Sequence, residues 1–312
     1  MLVKIFKSNQ QLGNILAVLL LSLVWLFNYF QGGVAQPDFS MGALWLDVFI
    51  GVVLISFQAV FLNFVVNKNN LLNDTTHLPG LLLVFFSCLN IFSLTNNQII
   101  IANSLSVIAL YQVLNLYNSD KKFGLLFNSG LLVGLATIFY MPSIVYFILL
   151  WIALIYLSTP VWRDFAISLI GFVFPIVYYV AYFYVFKDLS ELVFISKHTS
   201  IYTFSWGESP FWTKALLVTI GIYCVISCFY LMMSAGRSIV RIRKMLLIIL
   251  LVFLLSLTTL FLNQRDLIAT ITIALPALSV IVANFLQNQT KSWVAELVFL
   301  SMLFFLLMSY FS

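Results

Sequence analysis

Residues 13–30, 43–66, 98–117, 165–186 and 212–235 are apolar runs of about twenty residues, the length that crosses a bilayer as a helix. Little between such runs is long enough to be a domain of its own. Lipid supplies no water to backbone amides, so a chain built this way must fold as helices or as a closed barrel. The runs are continuous and do not alternate apolar with polar residues, and helices are therefore predicted. Charged residues make up 8% of the chain, against about a quarter in soluble domains, so a separate soluble part is not expected.

Eleven runs qualify as candidate spans, at roughly 13–30, 43–66, 79–94, 98–117, 123–140, 143–158, 165–186, 212–235, 245–262, 267–286 and 292–311. The predicted fold class is all-α, a polytopic transmembrane helical bundle of about eleven spans, in a range of nine to eleven, with its N-terminus in the cytoplasm. The runs at 79–94 and 143–158 are short and are expected to be tilted, buried or re-entrant. Residues 1–312 read as a single integral membrane domain, with 1–12 an interfacial N-terminal segment and 187–211 the longest extracytoplasmic loop. The first run follows two lysines, is long, ends in bulky residues and has no small-x-small site close behind it, so it reads as a retained span.

Orientation follows from Lys and Arg in the loops. With the N-terminus inside, the inner face carries Lys4, Lys7, Lys68, Lys121, Lys122, Arg163, Arg237, Arg241, Arg243, Lys244 and Lys291, and the outer face only Lys187, Lys197, Lys214 and Arg265. The break "NQRD" at 263–266 then caps a tight hairpin on the outer face. At mid-membrane its arginine would cost at least ~2.5–3.5 kcal/mol. The expected location is a bacterial inner membrane.

Cys88, Cys224 and Cys228 lie inside apolar runs and read as small core residues, not as a disulfide framework. Gln58, Asn63, Asn103 and Asn128 also fall within spans, where amides mostly join helices. No carboxylate sits at mid-span, which argues against an ion-coupled pump.

Chemistry is expected at the outer face. The loop "QGGVAQPDFSMGALWLDVF" carries Asp38, with Asp47 about one turn into the second span. The loop "KDLSELVFISKHTSIYTFSWGESPFW" carries Lys187, Asp188, Glu191, Lys197, His198 and Glu208 among aromatic residues. With Arg265 and Asp266, these three places hold nearly all the outer charge. Arginine and lysine suit a lipid phosphate, and a carboxylate beside them suits the role of general base on a hydroxyl or amine. The competing reading is that loops carry charge because they are wet. Asp38 and Asp47 are the candidate catalytic residues, and Arg265, Asp266, Lys187, Lys197 and His198 the candidate substrate- or phosphate-binding set. No cofactor is expected, and a divalent metal is not indicated. On the inner face, "AGRSIVRIRKM" spaces Arg237, Arg241 and Lys244 as one helical stripe. With Arg243, this stripe is expected to contact anionic headgroups. Membrane lipids are the expected partners, and nucleic acid is not.

The stretches "NFVVNKNNLL" (63–72), "GLLVGLATIFYMPSIVYFILLWIAL" (130–154) and "WRDFAISLIGFVFPIVYYVAYFYVF" (162–186) resemble a family of multi-pass inner-membrane proteins from Bacteroidota. Some of its members carry a carotene-cleaving monooxygenase label. That chemistry needs iron held by several histidines, and this chain has only His77 and His198, predicted on opposite faces. The order of spans, with an acidic first outer loop, short third and fourth spans, "NSGLLVGLATIFY" opening the fifth region and a longer outer loop after the seventh span, is similar to the C-type glycosyltransferase superfamily. That likeness implies an enzyme using a polyprenyl-phosphate-linked sugar at the outer face, with Asp38 at the position of the family's catalytic first-loop aspartate. "AQPDFS" has one acid where that superfamily often has a pair. The alternatives are a non-enzymatic subunit or scaffold of an envelope assembly and, third, a small-molecule transporter.

Overall fold

The computed structural model of the chain describes residues 22, 41–73, 75–88, 97–117, 119, 121–186, 211–262, 267–289 and 292–311. Among them 90% are helical and none is in a strand. The helices are α1 (Met41–Lys68), α2 (Leu78–Cys88), α3 (Asn97–Leu114), α4 (Lys122–Phe139), α5 (Val145–Leu157), α6 (Trp162–Phe186), α7 (Phe211–Arg237), α8 (Val240–Leu262), α9 (Leu267–Gln287) and α10 (Ser292–Phe311), with a 3₁₀ turn at Met141–Ile144. Ten of the eleven expected runs thus correspond to helices. The first run and the segment 1–12 lie outside the described residues. Five helical segments are long and apolar enough to cross a membrane: Phe49–Lys68, Asn97–Leu114, Lys122–Phe139, Trp162–Phe186 and Lys214–Arg237.

Local chemistry sets the helix ends. α1 stops in a Schellman turn, with Leu71 N–H donating to Val66 O at 3.1 Å and Asn70 N–H to Asn67 O at 3.2 Å. Asn70 takes φ 50°, a left-handed conformation that asparagine tolerates better than most residues. α4 stops at Phe139 because Tyr140 is extended and Pro142 follows in the 3₁₀ turn. α5 stops at Leu157, with Ser158 extended and Pro160 two residues on.

The third run lies at the centre of the bundle. All eleven described residues of α2 are buried, so this stretch packs inside the bundle with no face toward lipid. α2 packs between α1 and α9, and α9 also meets α3, α7 and α8, so these two helices form the centre of the bundle. The first turn of α2 is capped from outside. Asn63 Oδ1 of α1 accepts the Gly80 N–H at 2.7 Å, and a Cβ on Gly80 would lie 2.3 Å from that same amide.

α4 bridges this centre to the periphery. It packs on α3 and carries α6 along its other side. The two helices run parallel, because Gly130 meets Ser168 and Phe172 while Gly134 meets Phe172 and Pro175. "GLLVG" is a small-xxx-small pattern, which lets backbones approach closely where lipid gives no hydrophobic drive. Gly171 returns the contact against the Phe127 carbonyl.

A second polar junction repairs α9. Pro276 has no N–H to donate, so the carbonyl of Thr272 loses its intrahelical partner, and the ring crowds that turn. Asn103 Nδ2 of α3 donates to Thr272 O at 3.0 Å, and Tyr146 Oη of α5 donates to Ile273 O at 3.0 Å. Gln58 of α1 completes the junction by donating to Ile100 O and Ser104 Oγ. Gln58, Asn63 and Asn103 are therefore buried joints between helices, whereas Asn128 is exposed. Asn103→Leu should cost roughly 1–2 kcal/mol, since it orphans a buried carbonyl. In a Pro276→Ala background the cost should nearly vanish, because the alanine N–H takes over that carbonyl. A double-mutant cycle of unfolding in mixed micelles reads the coupling, and additive costs would refute the repair.

Candidate functional site

Contacts at one end of the bundle fix the direction of the helices. The Lys68 ammonium at the end of α1 donates to Tyr111 Oη near the end of α3 and lies over the rings of Phe64 and Tyr111. Lys122, opening α4, meets Asp164 Oδ2 of α6 at 2.5 Å and Thr159 O at 2.9 Å. Asp164 Oδ2 also accepts the Val161 N–H at 2.9 Å. Lys244, early in α8, stands over the rings of Tyr117 and Tyr156. Asn284 of α9 reaches Ser234 of α7, and Asn288 reaches Asn73. Lys68, Lys121, Lys122, Arg163, Arg237, Arg241, Arg243 and Lys244 thus gather at this basic end.

Two details depart from the sequence reading. Arg237 closes α7 while Arg241 and Lys244 belong to α8, so the three do not form one helical stripe. Ser238 stands at the break, its hydroxyl donating to the carbonyls of Ser234 and Ala235 at 3.1 Å. Cys224 and Cys228 are only half-buried; Cys88 alone is a core residue. Nearby at the basic end, His77 is 9% exposed and neither ring nitrogen has a hydrogen-bond partner. Burial lowers its pKa from the ordinary value, because desolvation disfavours the charged imidazolium.

At the far end of the bundle lies a groove of about 650 Å³. Gln98 of α3, Leu131 and Leu135 of α4, and Phe174, Tyr178 and Tyr179 of α6 line it, with Pro175 at its floor. The groove lies beside the close approach of α4 and α6, whose last glycine contact is Gly134 on Phe172 and Pro175. Phe139 on its wall is seventeen residues along α4 from Lys122, about 25 Å of rise. The lining is apolar save for the Gln98 amide and the phenols. Neither Gln98 nor Tyr178 makes a hydrogen bond among the described residues, and both are exposed. No cluster of three metal-ligating side chains occurs among the described residues.

Asp38, Lys187, Lys197, His198, Arg265 and Asp266 lie outside the described residues, as does the side chain of Asp47, whose backbone is in α1. The helices that flank them are described. α1 begins at the far end, α6 ends and α7 begins there, and so do the end of α8 and the start of α9. All three acidic or basic stretches therefore connect to the end that bears the groove. Sequence reasoning missed the groove residues; its visible trace is the tyrosine-dense "VYYVAYFY" at 177–184. It also missed Asp164 as the partner of Lys122.

No curated protein and no solved structure was found to match the chain. A family model described as a family of unknown function, DUF6427, matches residues 1–312, and the chain belongs to that family.

Proposed function

We propose that this membrane protein is a glycosyltransferase that takes a sugar from a polyprenyl-phosphate donor at the outer face of a bacterial inner membrane. The observation that carries the reading is the apolar groove at the far end. Its aliphatic and aromatic walls suit a hydrocarbon chain, and the Gln98 amide and Tyr178 phenol, which make no hydrogen bond among the described residues, suit the polar neck of a lipid. The basic end is then cytoplasmic by the positive-inside bias. In this reading Asp38 is the general base on the acceptor, Asp47 supports it, and Arg265 with Lys187 or Lys197 clamps the phosphate while Asp266 orients the arginine and His198 flanks it. Support comes from the shared far end of the helices flanking these residues. A second reading is favoured by the periphery, where only 17% of the span windows in α6 and α7 is buried. Faces so open suit a membrane subunit packed against partner helices, but they suit lipid equally.

The test is a strain deleted for the chain, analysed by mass spectrometry of its glycolipids and envelope polysaccharide. One sugar-bearing species should be lost, restored by the wild type and not by Asp38→Asn or the groove-filling Leu135→Trp at equal protein level. An unchanged glycan profile in the deletion would overturn the enzyme reading in favour of the subunit.

A further inference from the structure

The basic end holds two lysines in aromatic surroundings, and they differ in one respect. Lys68 has an oxygen partner, the hydroxyl of Tyr111. Lys244 has none: its ammonium stands 5.8 Å from the ring centre of Tyr117 and 5.5 Å from that of Tyr156, without a hydrogen bond or ion pair among the described residues. Ring faces attract an ammonium but accept its N–H groups poorly. The group is half-buried, so water reaches it from one side only. The phenol hydroxyls of Tyr117 and Tyr156 also make no hydrogen bond among the described residues. Arg241 and Arg243 are exposed one turn or less away on α8. Of the described carboxylates near this end, Asp164 is held by Lys122, and Glu296 stands on α10 and has an interaction of its own.

We propose that Lys244, Tyr117 and Tyr156, with Arg241 or Arg243 at the rim, form a site for the headgroup phosphate of one anionic phospholipid. The missing acceptor is an anionic oxygen: the Lys244 ammonium beside two phenol rings, with exposed guanidinium groups on the same helix, supplies the donors it would need. A lipid fits better than a free anion because the site opens beside exposed apolar side chains, Ile239 just before α8, Val240 at its start and Ile155 on α5. Acyl chains would cover these while the phosphate meets the ammonium. Basic pockets between spanning helices at this level are favourable for acidic headgroups.

The test uses the purified full-length chain in nanodiscs of phosphatidylcholine with graded phosphatidylglycerol, read by thermal unfolding and by native mass spectrometry of retained lipid. Wild type should show saturable stabilisation with about one phosphatidylglycerol retained per chain. Lys244→Gln should weaken that retention roughly ten- to hundredfold, the loss of one charge-assisted hydrogen bond. The paired change Tyr117→Phe and Tyr156→Phe, which keeps both rings, should weaken it by a smaller factor. Lys68→Gln, which removes an equal charge from the same end, should leave it unchanged. Equal loss from Lys68→Gln and Lys244→Gln would mean diffuse attraction and overturn the site. Inorganic phosphate replacing the lipid's effect in pure phosphatidylcholine would overturn the lipid assignment.

Discussion

Gly134→Leu should abolish the folded protein. A Cβ at this position would lie 2.4 Å from the Phe172 carbonyl oxygen and 2.7 Å from the Pro175 ring, and Gly130 is as tight, 2.3 Å from the Ser168 carbonyl. Overpacking costs about 1–3 kcal/mol where side chains can yield. Here the obstacle is backbone, so α6 must move away from α4 along its length and give up the contact that holds it. Gly124 lies on the same helix with nothing within 4 Å of a Cβ, and Gly124→Leu is the matched control. Size exclusion in mild detergent should show a monodisperse peak for Gly124→Leu and aggregated or absent protein for Gly134→Leu and Gly130→Leu. A Gly134→Leu protein that melts like wild type would contradict the parallel packing of α4 and α6.

The second large effect concerns Lys122 and Asp164. The carboxylate is 2% exposed and the ammonium 20%, with 2.5 Å between them. Removing one partner of such a pair leaves a buried charge and costs roughly 3–5 kcal/mol, whereas replacing both with apolar groups is often close to neutral. Lys122→Met should therefore destabilise strongly, and Lys122→Met with Asp164→Leu should recover much of the loss. Recovery falls short of complete because the Val161 N–H also depends on Asp164 Oδ2. Unfolding midpoints in mixed micelles report all three variants. A double variant worse than Lys122→Met alone would show that the pair adds net stability.

Class and helix positions were readable because they rest on continuous apolar length, a signal that survives in any window. The alternation of Lys and Arg between loops was readable too, and the contacts of Lys68, Lys122 and Lys244 gather most of the inner set at one end. What stayed hidden depends on pairing across sequence. Nothing near Pro276 announces that Asn103, 173 positions earlier, supplies the missing donor. Nothing in 79–88 tells a lipid-facing span from a helix buried on every side. The stripe of Arg237, Arg241 and Lys244 misled because spacing assumes an unbroken helix, whereas one helix ends at Arg237 and the next begins at Val240. The groove was invisible because its walls are ordinary lipid-facing residues until α4 and α6 are set side by side.

The most direct test of the lipid-linked donor is photocrosslinking. The purified full-length chain is mixed with a polyprenyl-phosphate sugar that carries a diazirine in its hydrocarbon tail, irradiated, and digested for peptide mapping. The account predicts saturable labelling within 131–139 and 174–179, competed by unlabelled donor and abolished by Leu135→Trp. Labelling confined to the basic end, or labelling spread over all lipid-facing helices and insensitive to competitor, would contradict it.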